Sequence, residues 1–221
     1  MKKLILTISL ILVLLSACTS TPTVNVEATV AARLTQEASK TVVQGVQVTV
    51  AKCPFYVYQD YAAPANHFYA AGWMGDIDDF EFDDNYKLDP QRPNVIKISY
   101  APSGAKGWSG IYWWSPANND WGAVDGGFDL SCAKKLTFLA RGENGGEKGE
   151  FKVGGLNGTF QDSLQPALST GPITLTKEWV EYSLDLTGKD LSHIIGGFVW
   201  VTNKEDNDSP ATIYIDEIKF E

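Results

Sequence analysis

The stretch "KKLTFLARG", residues 134–142, decides the fold class. Leu136, Phe138 and Ala140 fall on one side of an extended chain, and Thr137, Leu139 and Arg141 on the other. That period of two belongs to a strand with one face against a core. Working outward, "EWVEYSLDL" (178–186) repeats it: Val180, Tyr182, Leu184 and Leu186 point inward against Glu181, Ser183 and Asp185. Further strands are read in "FYVYQD", "HFYAAGW", "FEFDD", "NVIKISYA", "SGIYWWS", "GEFKVGG", "IGGFVWVTN" and "ATIYIDEIKFE", separated by Gly, Pro, Asn and Asp clusters. No long helical period and no internal repeat interrupts them. Many short strands with turn punctuation predict an all-β sandwich or barrel.

All Trp, Tyr and Phe lie beyond Cys53, so residues 53–221 form the expected domain. About 170 residues suffice for one sizeable core. Ahead of it, Lys2, Lys3 and the apolar run from Leu4 to Leu15 read as a signal peptide over residues 1–17. The run is shorter than the roughly 18–20 apolar residues of a membrane span. "LSAC" (15–18) resembles the bacterial lipoprotein lipobox, which implies cleavage, lipidation of Cys18 and an outward-facing place at the cell surface. Residues 18–52 are then a lipid-anchored spacer, in which Val26, Val30, Ala31 and Leu34 recur at helical spacing. With Cys18 spent on lipid, Cys53 and Cys132 remain. An oxidising compartment favours their disulfide, with two buried free thiols as the alternative.

The chain carries 18 basic and 27 acidic residues. Loss of Lys2 and Lys3 with the signal leaves a net charge near −11. Nucleic acid, whose phosphates require Lys and Arg, is excluded as a partner. The membrane contact is expected through the lipid alone, and the protein is expected to be a monomer.

"GWSGIYWWSPANNDWG" (107–122) concentrates four tryptophans and a tyrosine in sixteen residues. Alternation puts Ile111 with Trp113, and Tyr112 with Trp114 on the other side. In "IGGFVWVTN", Val199 and Val201 are expected in the core, leaving Phe198 and Trp200 opposite. Strands aromatic on both sides imply a second face that is covered or that binds something.

"LTFLARGE" (136–143), "WVEYSLDLTG" (179–188) and the closing "ATIYIDEIKFE" (211–221) resemble the jelly-roll carbohydrate-binding modules of the galactose-binding-like type. The resemblance covers residues 55–221 as a loose pattern and implies a two-sheet antiparallel jelly-roll β-sandwich with a concave glycan-binding face. It implies non-catalytic capture of poly- or oligosaccharide. Sugar C–H faces pack on aromatic rings while hydroxyls take a few placed polar partners. The expected ligand set is Trp108, Tyr112, Trp114, Trp121, Arg141, Trp200 and Asn203, with Asn118, Asn119 and Asp120 between the rings. Trp73, Trp113 and Trp179 are expected in core or rim packing.

"GDIDDFEFDDNYKLDPQ" (75–91) is dense in carboxylates. Related jelly rolls hold a structural calcium that ties an early strand to the last. By that resemblance Asp76, Asp79, Asp84 and Asp216 are the candidate ligands, and the spacing is not that of an EF-hand loop. No catalytic cofactor is expected. The chain has only His67 and His193 and no nucleophile or zinc motif. "GENGGEKGE" (142–150) joins two strands and is a hairpin rather than a phosphate cradle. A glycosidase or lyase on the same fold, needing only two carboxylates, is the second reading, and a protein-interaction or adhesion face the third.

Overall fold

The computed structural model describes residues 49–88 and 90–221. The signal segment, Cys18 and most of the spacer lie outside the described residues. Within them the chain forms β1 (Thr49–Val50), β2 (Phe55–Tyr58), β3 (Tyr69–Gly75), β4 (Phe80–Tyr86), β5 (Val95–Tyr100), β6 (Trp108–Trp114) and β7 (Phe128–Asp129). There follow β8 (Lys135–Gly142), β9 (Lys148–Val153), β10 (Leu168–Thr174), β11 (Val180–Asp185), β12 (Gly196–Asn203) and β13 (Ala211–Phe220). A 3-10 turn at Ile77–Asp79 leads into β4.

Two antiparallel sheets result. One has the order β10-β9-β12-β6-β3, the other β11-β8-β13-β5-β4, with β2 also paired to β13. The last strand is long enough to serve two neighbours on one edge. Ala211–Ile215 pair with β5, and after an irregularity at Asp216–Lys219 its end pairs with β2. Glu217 takes the left-handed conformation there (φ 48°), which lets the strand change direction at a bulge.

The opening stretch behaves as read. Leu136, Phe138 and Ala140 of β8 are fully buried, and Leu184 and Tyr182 of β11 stand opposite Leu136 and Phe138. The rings of Phe138 and Phe198 meet edge to face between the sheets at 5.2 Å, as do Phe82 and Trp113 at 5.8 Å. Burial of this aromatic and aliphatic layer is the main stabilising term, at roughly 25 cal/mol per Å² of apolar surface.

Cys53 and Cys132 form a disulfide with Cα atoms 5.9 Å apart. The packed unit begins ahead of Cys53: β1 pairs with β7 in parallel, and Ala51 donates its N–H to the Asp129 carbonyl and is buried. Residues 49–51 thus reach β7 in a two-stranded sheet of their own, and Ala51 packs into the main core.

Candidate functional site

The outer face of the five-stranded sheet is built by register. In β6, Ser109, Ile111 and Trp113 face the core, so Trp108, Gly110, Tyr112 and Trp114 face outward. One row across the sheet runs Met74, Gly110, Val201, Glu150; the next runs Gly72, Tyr112, Val199, Lys152, Ser169. The centre is a low apolar floor. A Cβ on Gly110 would meet Met74 and Val201 side-chain atoms at 2.9 and 3.3 Å. Beside it the Lys152 Nζ pairs with Glu150 at 3.1 Å, and the Ser169 hydroxyl donates to Glu150. Trp114 lies six positions after Trp108 along β6, about 20 Å at the rise of an extended strand.

One end of this face is roofed. Trp114 is buried with Leu156 and Ile195, and Tyr112 and Phe160 pack against them. Two loops make the roof. In the first, Asn119 is fully buried; its side chain donates to the Val124 carbonyl and accepts from the Gly122 N–H. That turn runs through left-handed Asp120, Trp121 and Gly122 (φ 52°, 59° and 84°). For a bulky residue such as Trp this conformation costs of order 1–3 kcal/mol and persists where the surroundings over-determine it. Its consequence is the placement of the Trp121 ring, edge-on to Trp114 at 5.0 Å and to Tyr112 at 5.9 Å, yet 41% exposed.

The second loop is clamped by Asp162. Its buried carboxylate accepts N–H bonds from Leu156, Ile195 and Gly196. Burial pushes this carboxyl's pKa up, against the pull of those donors. Burial, with the nearby Asp162 charge, also pushes the Tyr112 phenol up, and its hydroxyl donates to the Gly154 carbonyl at 2.8 Å. The loops are joined by the Phe160 N–H on the Gly122 carbonyl.

Of the expected ligand residues, Tyr112, Trp114 and Trp121 are brought together, with Trp108 at the far end of the same face and 37% exposed. Trp200 is a correction. It is 1% exposed and packs in the inter-sheet core against Phe80 at 5.7 Å, as Phe198 does against Trp113. Val199 is just as buried on the roofed side, so alternation in hydrophobicity cannot tell the two faces of β12 apart. Arg141 is the second correction. Strand β8 belongs to the other sheet, where the guanidinium lies over Tyr214 at 5.5 Å and donates to the Gly142 and Glu143 carbonyls. Asn203 sits across from Trp108, but its side chain holds its own turn: it donates to Asp206 and accepts from the Glu205 and Asp206 N–H groups. Asn119, likewise, is internal scaffolding.

The calcium set does not assemble. Among the described residues no three metal-binding side chains converge. Asp76 accepts from the Gly107 N–H, and Asp79 from Ser103 and Gly104. Asp216 takes its positive charge from Arg92, which also bridges to Glu217 at the β13 irregularity. Asp84 lines a separate cleft at the sandwich edge. Asp76, Asp79 and Asp216, already engaged by N–H groups, a hydroxyl and a guanidinium, do not fit an ion that needs six to eight oxygens.

Glu150, Lys152 and Ser169 were missed, although "GEFKV" alternates and places Glu150 and Lys152 opposite buried Phe151 and Val153. Tyr69, paired with Trp114 and 53% exposed, was legible only once β3 had a partner.

No protein-family model matches the chain, and no curated protein matches it in sequence. Solved structures do resemble it. The family 30 carbohydrate-binding module of a cellulosomal cellulase of Clostridium thermocellum superposes with a TM-score of 0.53 at 14% identity, covering 77% of this chain and 98% of that one. Another family 30 carbohydrate-binding module gives 0.52 at 15% identity, over 75% and 85% of the two chains. The chain thus has the all-β, two-sheet fold of carbohydrate-binding modules.

Proposed function

We propose that the protein binds poly- or oligosaccharide without cleaving it, on the outer face of its five-stranded sheet. The observation that carries this reading is Trp121, a half-exposed ring held against Tyr112 and Trp114 by a left-handed turn, on a sheet face that also carries Glu150, Lys152 and Ser169. A rigid ring loses little entropy when a sugar face stacks on it, and Trp108 offers a second contact about 20 Å away along β6. The likeness to carbohydrate-binding modules supports the same reading. The lipobox resemblance adds the rest: an N-terminal lipid on Cys18 would hold this face outside the cell, where captured glycan meets enzymes or transporters.

Affinity electrophoresis of the purified protein through gels containing neutral plant, fungal and bacterial polysaccharides tests the proposal. Retardation by at least one polysaccharide, lost in Trp121→Ala, is expected. Unchanged mobility in all of them would overturn it.

A further inference from the structure

A cleft of about 540 Å³ opens at the sandwich edge, where β2, β3, β4 and the loop after β2 meet. It is separate from the roofed face, although Tyr69 borders both. Its walls are aromatic: Tyr61, Tyr69, Phe82 and Trp113. Tyr61 is 49% exposed and stands on a braced loop. The Asn66 amide accepts from the Gln59 N–H and donates to the Asp60 carbonyl, while the Asp60 carboxylate accepts from the Tyr61 N–H. These bonds fix the backbone that carries Tyr61 before any ligand arrives.

Among the described residues, one carboxylate lines the cleft. Asp84 follows Phe80 and Phe82 on β4, where the register shifts after Asp83. Its carbonyl accepts the Tyr58 hydroxyl. No Lys, Arg or His lines the cleft among the described residues. The carboxyl is partly desolvated, which pushes its pKa up, and neighbouring Asp83 acts in the same direction. The Tyr58 phenol is likewise pushed up, first by burial and then by Asp216, Asp60, Asp84 and Asp83. Aromatic side chains lining a cleft together with a carboxylate, and with no cationic side chain in that lining, complement a cation with an apolar body.

We propose that this cleft is a second binding site, for an organic ammonium group held between the Tyr61 and Tyr69 rings and the Asp84 carboxylate. Two sources share that chemistry: a quaternary ammonium such as choline, and the protonated amine of an amino sugar. The site does not depend on the glycan reading of the sheet face.

Calorimetric titration of the full chain with choline, with a glucosamine oligomer, and with the uncharged isostere 3,3-dimethylbutanol tests it. Saturable binding of choline or of the glucosamine oligomer is expected, and which of them binds identifies the source. The isostere should not bind, and added salt should weaken the interaction. Asp84→Asn should reduce affinity roughly tenfold or more, the usual scale for a charged contact. Tyr61→Ala, an exposed change that the fold tolerates, should reduce it as well, whereas Trp121→Ala should leave the binding of choline unchanged. The proposal fails if neither amine binds, if the isostere binds equally, or if binding survives both Asp84→Asn and Tyr61→Ala. Should Asp84→Asn not fold, Tyr61→Ala and the isostere decide.

Discussion

Trp121 shows how far a single side chain can be read. Its place among Pro, Asn and Gly marks a turn, and the turn is what exposes the ring. The left-handed backbone at Asp120 and Trp121 could not be foreseen, because nothing local to "NNDWG" demands it. It follows from the buried Asn119 amide and from the second loop packed behind. Trp121→Ala is expected to weaken glycan binding roughly tenfold or more, as for a stacked anchor, while its melting temperature stays close to wild type; calorimetry and circular dichroism check both. A second residue contributes to the pH dependence of stability. His67 stacks on Phe55 at 4.0 Å, and burial holds its pKa below the ordinary value. The folded state therefore binds its proton less readily than the unfolded state. Its contribution is fully present above the unfolded pKa, about 6.5, and is lost as the pH falls through that value toward the lower folded one. The melting temperature should drop between pH 7.5 and 5.5 by more in wild type than in His67→Phe. Equal drops would remove His67 from the account.

At the scale of elements, the ten strands read from alternation are all present, and the exceptions have physical reasons. β10 was missed because "LSTGPIT" carries Gly171 and Pro172, which break the pattern of a central strand. It lies at the edge of its sheet, where a missing donor is tolerated. β12 was read with its faces reversed because the roof buries Val199 as completely as the core buries Trp200. Arg141 was assigned to the wrong sheet because a strand's own sequence does not say which strand it pairs with. Two changes separate these roles. Trp200→Ala should cost about 3–5 kcal/mol of stability, as for a large core truncation. Asp162→Ala strips three N–H donors of their acceptor and should cost about 3 kcal/mol. Asp162→Ala should also loosen the roof and so weaken glycan binding even where the protein stays folded. Urea unfolding and titration on the same samples check the pair.

For the whole molecule, strand alternation and turn spacing predict a sandwich or barrel, the resemblance to jelly-roll modules narrows it to two sheets, and the remaining pair of cysteines suggests the crosslink. Cys53 and Cys132 lie 79 residues apart and tie the entry to β2 to the segment ahead of β8. Closing so long a loop contributes about 4.5 kcal/mol in the chain-entropy model. A Cys53→Ser/Cys132→Ser variant should lose up to that amount in urea unfolding and still bind glycan. What composition could not supply is which sheet each strand joins. The decisive measurement is a tryptophan fluorescence titration of the purified protein with a polysaccharide that retards it, comparing wild type, Trp121→Ala, Lys152→Ala and Arg141→Ala. A saturable shift that is lost in Trp121→Ala, weakened in Lys152→Ala and unchanged in Arg141→Ala is predicted. Retention in Trp121→Ala with loss in Arg141→Ala would place binding on the opposite sheet and contradict the account.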